Sequence, residues 1–301
     1  MIEPIGSERA GQNVDSNEHM STLAEQLEQI PFFPPAVQVI PRLLPLFGND
    51  KSPTDELAEV VRVDSGLTAD ILRVCNSAAF GFQMRAQTIQ DAALRLGMKE
   101  MYKITSKVIA EPILGAGVHQ VPVDGVDLWH HSLATGSASA IIAEAMGTDM
   151  EIGFTIGLLH DIGKVRLVQT VGSDYREMII AARGGAEPLH SMEAQKWGLD
   201  HAVIGGQLLK RWNFPENMRD AVLLHHSVMG TTPNLDFAAQ VNLADYLAGA
   251  IGLPYDRLGP VHPPNPRALH LANMSVEDLH KLAPKVIEHF NREQAPFVER
   301  G

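Results

Sequence analysis

Apolar positions recur at three- and four-residue spacing through most of this chain, the period of an α-helix and not of a strand. Leu23, Leu27 and Ile30 open the series, which stops at Pro31, Pro34 and Pro35, where the backbone must extend. The next apolar run, VQVIPRLLPLF, contains Pro41 and Pro45 and is expected as a kinked helix or short helical pieces. Ser52-Pro53-Thr54 then opens a helix through Leu57, Val60 and Val61, with Ser52 or Thr54 as its cap. In LTADILRVCNSAAFG, residues Leu67, Ile71, Val74 and Cys75 share a face and Gly81 ends the segment. TIQDAALRLGMKEMYKITSKVIA predicts one or two further helices, broken or bent near Gly97.

No stretch of useful length alternates with a strand's period, and no repeat recurs at a fixed interval, so the fold class is all-α. Residues 1–18 are polar and read as a disordered leader. Residues 19–126 form an N-terminal helical layer with few groups suited to acid–base or metal chemistry, and residues 127–255 a second helical half. After Pro254 the prolines 260, 263, 264 and 266 predict a loop, and Ser275-Val-Glu-Asp caps a last helix to about Phe290, making 256–301 an extension.

Composition narrows the function classes. A hydrophobic share of 45% is that of a globular protein, and the net charge of −12 disfavours a nucleic-acid partner without a local basic run, which is missing. Cys75 is the single cysteine, so an intrachain disulfide and a cysteine-based metal site are excluded and a cytoplasmic location fits. Neither a signal peptide nor a membrane span is predicted.

The chemistry lies in the second half. In GLLHDIGK, an apolar helix ends in His160 and Asp161, followed by Ile162 and a glycine turn. An imidazole and a carboxylate at such an end are costly to bury unless paired, and a divalent metal satisfies both. Lys164 lies one turn on, where an ammonium can meet a phosphate. His131 is in helical phase with Ala134, Ala138 and Ile142, whereas His130 shares a wetter face with Ser137 and Glu144. His201 is in phase with Ile204, Gly205, Leu208 and Trp212, and Asp245 with Ala238, Val241 and Ala248; His225 and His226 end another helix. A single inward histidine is usually only a hydrogen-bonded core residue, but several phased together point to a common site. Glu193 and Asp200 are candidate partners for His201, with helix capping the favoured role of Asp200. His119, His190, His262, His270, His280 and His289 are expected in loops or on solvated faces, and Met98, Met101, Met146 and Met150 as core filling.

The order of these residues resembles the HD superfamily of metal-dependent phosphohydrolases, and more specifically its output-type HDOD relatives in bacterial signalling. IPFFPP, VDSGLTADILRVCNSAAFG, LWHHSLATGSASAIIA, GLLHDIGK, LDHAVIGGQLLKRWNFPENMRDAVLLHH and NLADYLA carry that resemblance over roughly residues 23–250. It implies an HD-like helical bundle in which His131, His160, Asp161 and Asp245 hold a first metal. His201, His225 and His226 match positions that complete a second metal site in the HD-GYP relatives, which are cyclic dinucleotide phosphodiesterases. HHSVMGTTP stands where those relatives carry an acidic, glycine-rich stretch and the GYP triplet, which counts against that particular activity.

The resemblance leaves three readings open. The first is a regulatory module that binds signalling proteins or a small ligand, as the family is generally regarded as non-catalytic. The second is a metal-dependent phosphohydrolase or phosphodiesterase acting on a phosphorylated small molecule or nucleotide. In it Asp161 and Lys164 serve catalysis beside Fe, Mn, Mg or Zn. The third is a purely structural metal or polar network.

Overall fold

The computed structural model describes residues 39–47, 54–61, 65–116, 125–185, 187–252 and 261–298. The expected leader, the helix expected at Leu23–Ile30, the PFFPP turn, Ser52 and His119 lie outside them. Every regular element among the described residues is helical, as the spacing requires.

The N-terminal layer comprises α1 (Val39–Phe47), α2 (Thr54–Val61), α3 (Ser65–Cys75), a 3-10 turn at Ala78–Phe80, α4 (Ile89–Leu96) and α5 (Met98–Ala116). The prolines do not break α1 into pieces. Pro41 occupies its first turn, where no N–H is needed, and Ile40 and Leu43 are fully buried as the helix packs on α5. Thr54 is the first residue of α2. Leu67, Ile71, Val74 and Cys75 are buried together, and Gly81 and Gly97 take the positive φ values, 62° and 82°, that end the 3-10 turn and α4.

The second half comprises α6 (Gly125–Met146), α7 (Met150–Leu159), α8 (Ile162–Gly184, kinked at Gly172), α9 (Leu189–Trp197), α10 (His201–Arg211), α11 (Glu216–Leu224) and α12 (Leu235–Ala250). Two short helices, α13 (Pro266–Leu271) and α14 (Val276–Lys281), and a longer one, α15 (Ala283–Val298), follow. Pro266, expected in a loop, starts α13 because its fixed φ suits a first helical position. The single last helix expected from Ser275 is two. Ser275 and Asp278 form the capping box, but Pro284, in the first turn of α15, lacks the N–H that would continue α14.

Helix α6 is the axis of the molecule, packed against α5, α7, α12 and α15. Residues 131–143 are consequently buried on every side, and Ser137, expected on a wet face with His130, is fully buried. One apolar core runs from α1–α5 through α6–α11 to Phe290 and Phe297. A smaller one joins the far end of α6 to α12–α15. Between α5 and α15, Lys107 Nζ meets Glu293 Oε2 at 2.7 Å with both side chains buried, and Lys103 adds a second ammonium at 3.4 Å. His289, expected on a solvated face, is buried because it lies under this contact, beside Phe154 and Glu293. No helix among the described residues is long and apolar enough to cross a membrane.

Candidate metal centre

Two glycines set the site by letting backbones touch. A Cβ on Gly157 of α7 would lie 2.6 Å from Thr135 O, so α7 can approach α6 only without one, which brings His160 beside His131. A Cβ on Gly163 would lie 2.0 Å from His201 O. Gly163 is therefore not the turn expected from the sequence; it lies inside α8, where it admits the backbone of α10 and sets His201 against Asp161. His160 and Asp161 themselves are the corner between α7 and α8.

All seven predicted positions converge. His131, His160, Asp161, His201 and His225 are at most 2% exposed, His226 is half-buried, and the Asp245 side chain is 30% exposed at the edge. His131 Nε2 lies 3.2 Å from Asp245 Oδ1 and 3.5 Å from Asp161 Oδ2, and His160 Nε2 lies 3.4 Å from Asp161 Oδ2. The other Asp161 oxygen, Oδ1, faces His201 Nε2 at 3.2 Å, and His201 Nε2 is 2.9 Å from His226 Nε2. Asp161 thus stands between two sets, turning one oxygen to each: His131, His160 and Asp245 on one side, His201, His225 and His226 on the other. Lys164 Nζ pairs with Asp161 Oδ2 at 2.6 Å.

Ring orientation follows from the outer nitrogens. His160 Nδ1 donates to Gly157 O at 2.8 Å and His225 Nδ1 to Val222 O at 2.7 Å. A carbonyl can only accept, so Nδ1 carries the proton and the neutral ring turns an unprotonated Nε2 inward. Both Nε2 atoms are buried without a hydrogen-bond partner. Inward lone pairs of this kind, grouped with carboxylate oxygens within 4.8 Å of one another, fit a divalent ion.

The electrostatics are those of a site where anions and cations compete at close range. Burial, then His160 and His201, pushes His225 down to about 3. Burial lowers His160 and His226 as well. Burial is the largest influence on His201 and opposes its charged form, but the Glu193 carboxylate and the hydrogen bonds to Asp161 and Glu193 together raise His201 to about 9. Against its own burial, Asp161 is held well below the carboxylate range by His160, Lys164 and His201. Asp245 is lowered in the same way by His131.

The residue patterns missed some of the surroundings. His190 stacks on His226 with ring centroids 4.1 Å apart instead of lying in a loop; its signal is the i, i+3, i+7 series His190, Glu193, Trp197 on the inner face of α9. His262 lies at the mouth of the same cavity. Asn242, one turn before Asp245, ties the site to the next loop, donating to His225 O at 2.8 Å and accepting from Asn265 N at 2.9 Å. Asp200 caps α10 through Val203 N, whereas Glu193 is the true partner of His201. His270 and His280 are exposed, as expected. A cavity of about 310 Å³ opens onto the cluster, lined among others by Lys164, His190, His201, His226, Asp245 and Tyr246. The arrangement can hold cations on its floor and present an ammonium and imidazoles to a small anionic molecule above it.

Known proteins share this architecture. An HDOD domain protein of unknown function from Geobacter sulfurreducens superposes with a TM-score of 0.73 at 21% identity, over 94% of this chain and 99% of that one. A Shewanella amazonensis protein provisionally named a phosphohydrolase gives 0.63 at 26% identity, over 91% and 99%. A Marinobacter aquaeolei protein provisionally named a signal transduction protein gives 0.72 at 17% identity, over 95% and 66%. An uncharacterised Treponema pallidum protein is 28% identical over 217 residues, 69% of this chain; the chain spans only 40% of that relative's length. The sequence model of the HDOD domain matches residues 32–228. The chain belongs to the HDOD domain family.

Proposed function

We propose that this chain is a cytoplasmic HDOD signalling module that holds divalent metal in its histidine–aspartate cluster and reads a small phosphorylated ligand in the cavity above it, passing the outcome to protein partners. The observation that carries this reading is the pair of buried, partnerless Nε2 atoms of His160 and His225 on either side of Asp161. What sets these two apart from other buried polar atoms without a partner is that they converge with an Asp161 oxygen within 4.8 Å. His131, His160, Asp161 and Asp245 are assigned to one ion and His201, His225 and His226, with Asp161 between, to another. Lys164, which lines the cavity, is assigned the role of neutralising a ligand phosphate.

A second reading, phosphoester hydrolysis, is favoured by the open cavity reaching His201, His226 and Asp245, and by the name of the Shewanella relative. A bound divalent ion would supply Lewis acidity and lower the pKa of a water. In that reading Asp161 positions the reacting groups and Lys164 offsets developing phosphate charge.

Metal analysis of protein purified without chelator, joined to a hydrolysis panel of nucleotides, cyclic dinucleotides, phosphomonoesters and RNA, separates the readings. The signalling module is expected to carry metal that is lost in Asp161→Ala and to turn over nothing in the panel. Turnover abolished by His160→Ala and Asp161→Ala would establish the hydrolase instead. A protein that stays metal-free after addition of Mn²⁺, Fe²⁺, Mg²⁺ or Zn²⁺ would overturn both.

A further inference from the structure

The histidines of the cluster are not braced alike. His160 and His225 are anchored through Nδ1 to main-chain carbonyls of their own helices, so their orientation is a local matter. His201 is anchored by a carboxylate from another element. Glu193 of α9, fully buried, accepts from His201 Nδ1 at 2.6 Å and from the His201 main-chain N–H at 2.8 Å through Oε2. Its Oε1 accepts from the buried Tyr175 hydroxyl at 2.6 Å. Tyr175 sits on α8 beyond the kink at Gly172, so three helices meet at one carboxylate.

We infer that Glu193 and Tyr175 are positioning residues for the second half of the cluster: they clamp the His201 ring with Nε2 turned to Asp161 and His226, making His201 a carboxylate-backed ligand for a divalent cation. The part of this inference that concerns a cation rests on the metal-holding reading above.

A simpler role for Glu193 would be to cap α10, since the His201 N–H is one of the unpaired donors at that helix start. Asp200 already occupies the cap position and accepts from Val203 N at 2.9 Å. The bond to Nδ1 adds nothing to a cap. Its effect is on the ring, whose two nitrogens would otherwise be free to exchange places by rotation. A carboxylate held by three donors is a rigid acceptor, and a buried anion behind an imidazole strengthens the opposite nitrogen as a ligand. The Tyr175 hydroxyl fixes which Glu193 oxygen faces the ring.

The full chain decides this by two readouts. Titration with Zn²⁺, and with Co²⁺ followed by its absorption spectrum, is expected to show two ions in the wild type. In Glu193→Gln, which keeps the shape and removes the charge, the second ion should bind about 10–100-fold more weakly, with the first unchanged. Tyr175→Phe should give a smaller loss of the same kind. In metal-free protein, nitrogen-15 correlation spectra should show the His201 Nδ1 proton protected from exchange in the wild type and unprotected in Glu193→Ala, which removes the acceptor altogether. Identical titrations of wild type, Glu193→Gln and Tyr175→Phe would overturn the inference, as would a wild-type Nδ1 proton that exchanges as freely as that of an exposed histidine. If Glu193→Gln does not fold, Tyr175→Phe carries the test, because it leaves the carboxylate in place. A wild type that binds no ion defeats the metal-holding reading alone, and the exchange measurement still decides the clamp.

Discussion

Two buried polar clusters lie within this molecule, and they are built on opposite principles. Between α5 and α15, Lys107 and Glu293 face each other at 2.7 Å, Lys103 stands beside them, and Phe297 packs against Trp129 with the Lys107 ammonium over its ring. There each charge meets its opposite, although Nδ1 of His289 beside the pair is buried without a hydrogen-bond partner. Around Asp161 the protein instead buries two inward imidazole nitrogens that make no hydrogen bond, next to residues that line an open cavity. Closed pairing of this sort serves to hold an element in place. Buried groups left open cost stability, and where they converge with carboxylate oxygens, as around Asp161, a bound cation would satisfy them.

The largest expected effect separates the clusters outright. Asp161→Ala removes the one carboxylate that faces both ligand sets and should abolish metal binding at both. Glu293→Ala should leave metal content at the wild-type value. Metal analysis of the two purified variants checks this, and equal loss in both would erase the distinction.

Stability should show the reverse order. Glu293→Ala strands Lys107, whose side chain is 1% exposed, and is expected to cost about 3–5 kcal/mol in urea unfolding. Replacing both partners, Lys107→Met with Glu293→Leu, should recover most of that loss, because two apolar side chains need no partner. A double variant as unstable as the single one would show that the pair does more than satisfy itself.

Acid should find the closed cluster too. Against burial, Lys107 and Lys103 hold Glu293 down at about 2, while burial lowers His289 to about 4. Both groups take up protons more readily when unfolded, so their contribution is complete above the unfolded pKa values and is lost on acidification. His289 should begin to cost stability as pH falls below about 6.5, and Glu293 below about 4.5, with the loss continuing towards pH 2. The Glu293 share is about 3 kcal/mol at 1.36 kcal/mol per tenfold change in proton affinity. Urea unfolding of Glu293→Gln at pH 3 and pH 7 tests it, since the variant should lose less stability than the wild type between those values.

The two clusters also differ in how far the sequence reveals them. Around Asp161, helical phase alone selects His131 over His130 and points His201 and Asp245 inward, because each sits on a helix with a repeating apolar face. Phase says nothing about which helices touch. The contacts of Gly157 with α6 and of Gly163 with α10 are long-range facts, and the latter glycine reads locally as a turn. His190 escapes for a related reason: it lies at the start of α9, and its neighbour His226 is fixed by a different helix end. The closed cluster is less legible still. Lys107 and Glu293 are 186 positions apart, and each reads as a solvated charge until α15 is laid on α5.

The smallest expected effect tests the boundary between the two principles, at neighbouring acids on either side of His201. Asp200 accepts only from Val203 N at the start of α10 and is partly exposed, so it belongs with the structural contacts. Asp200→Ala should cost about 1 kcal/mol, the usual value of a lost N-cap, with metal content and affinity unchanged. Glu193, fully buried behind the ring, should behave in the opposite way, losing metal affinity out of proportion to stability. Urea unfolding and metal titration on the same two preparations provide the comparison. If Asp200→Ala weakened metal binding as strongly as Glu193→Gln, the orientation of His201 would be set by the start of α10 as a whole and not by the carboxylate on its ring.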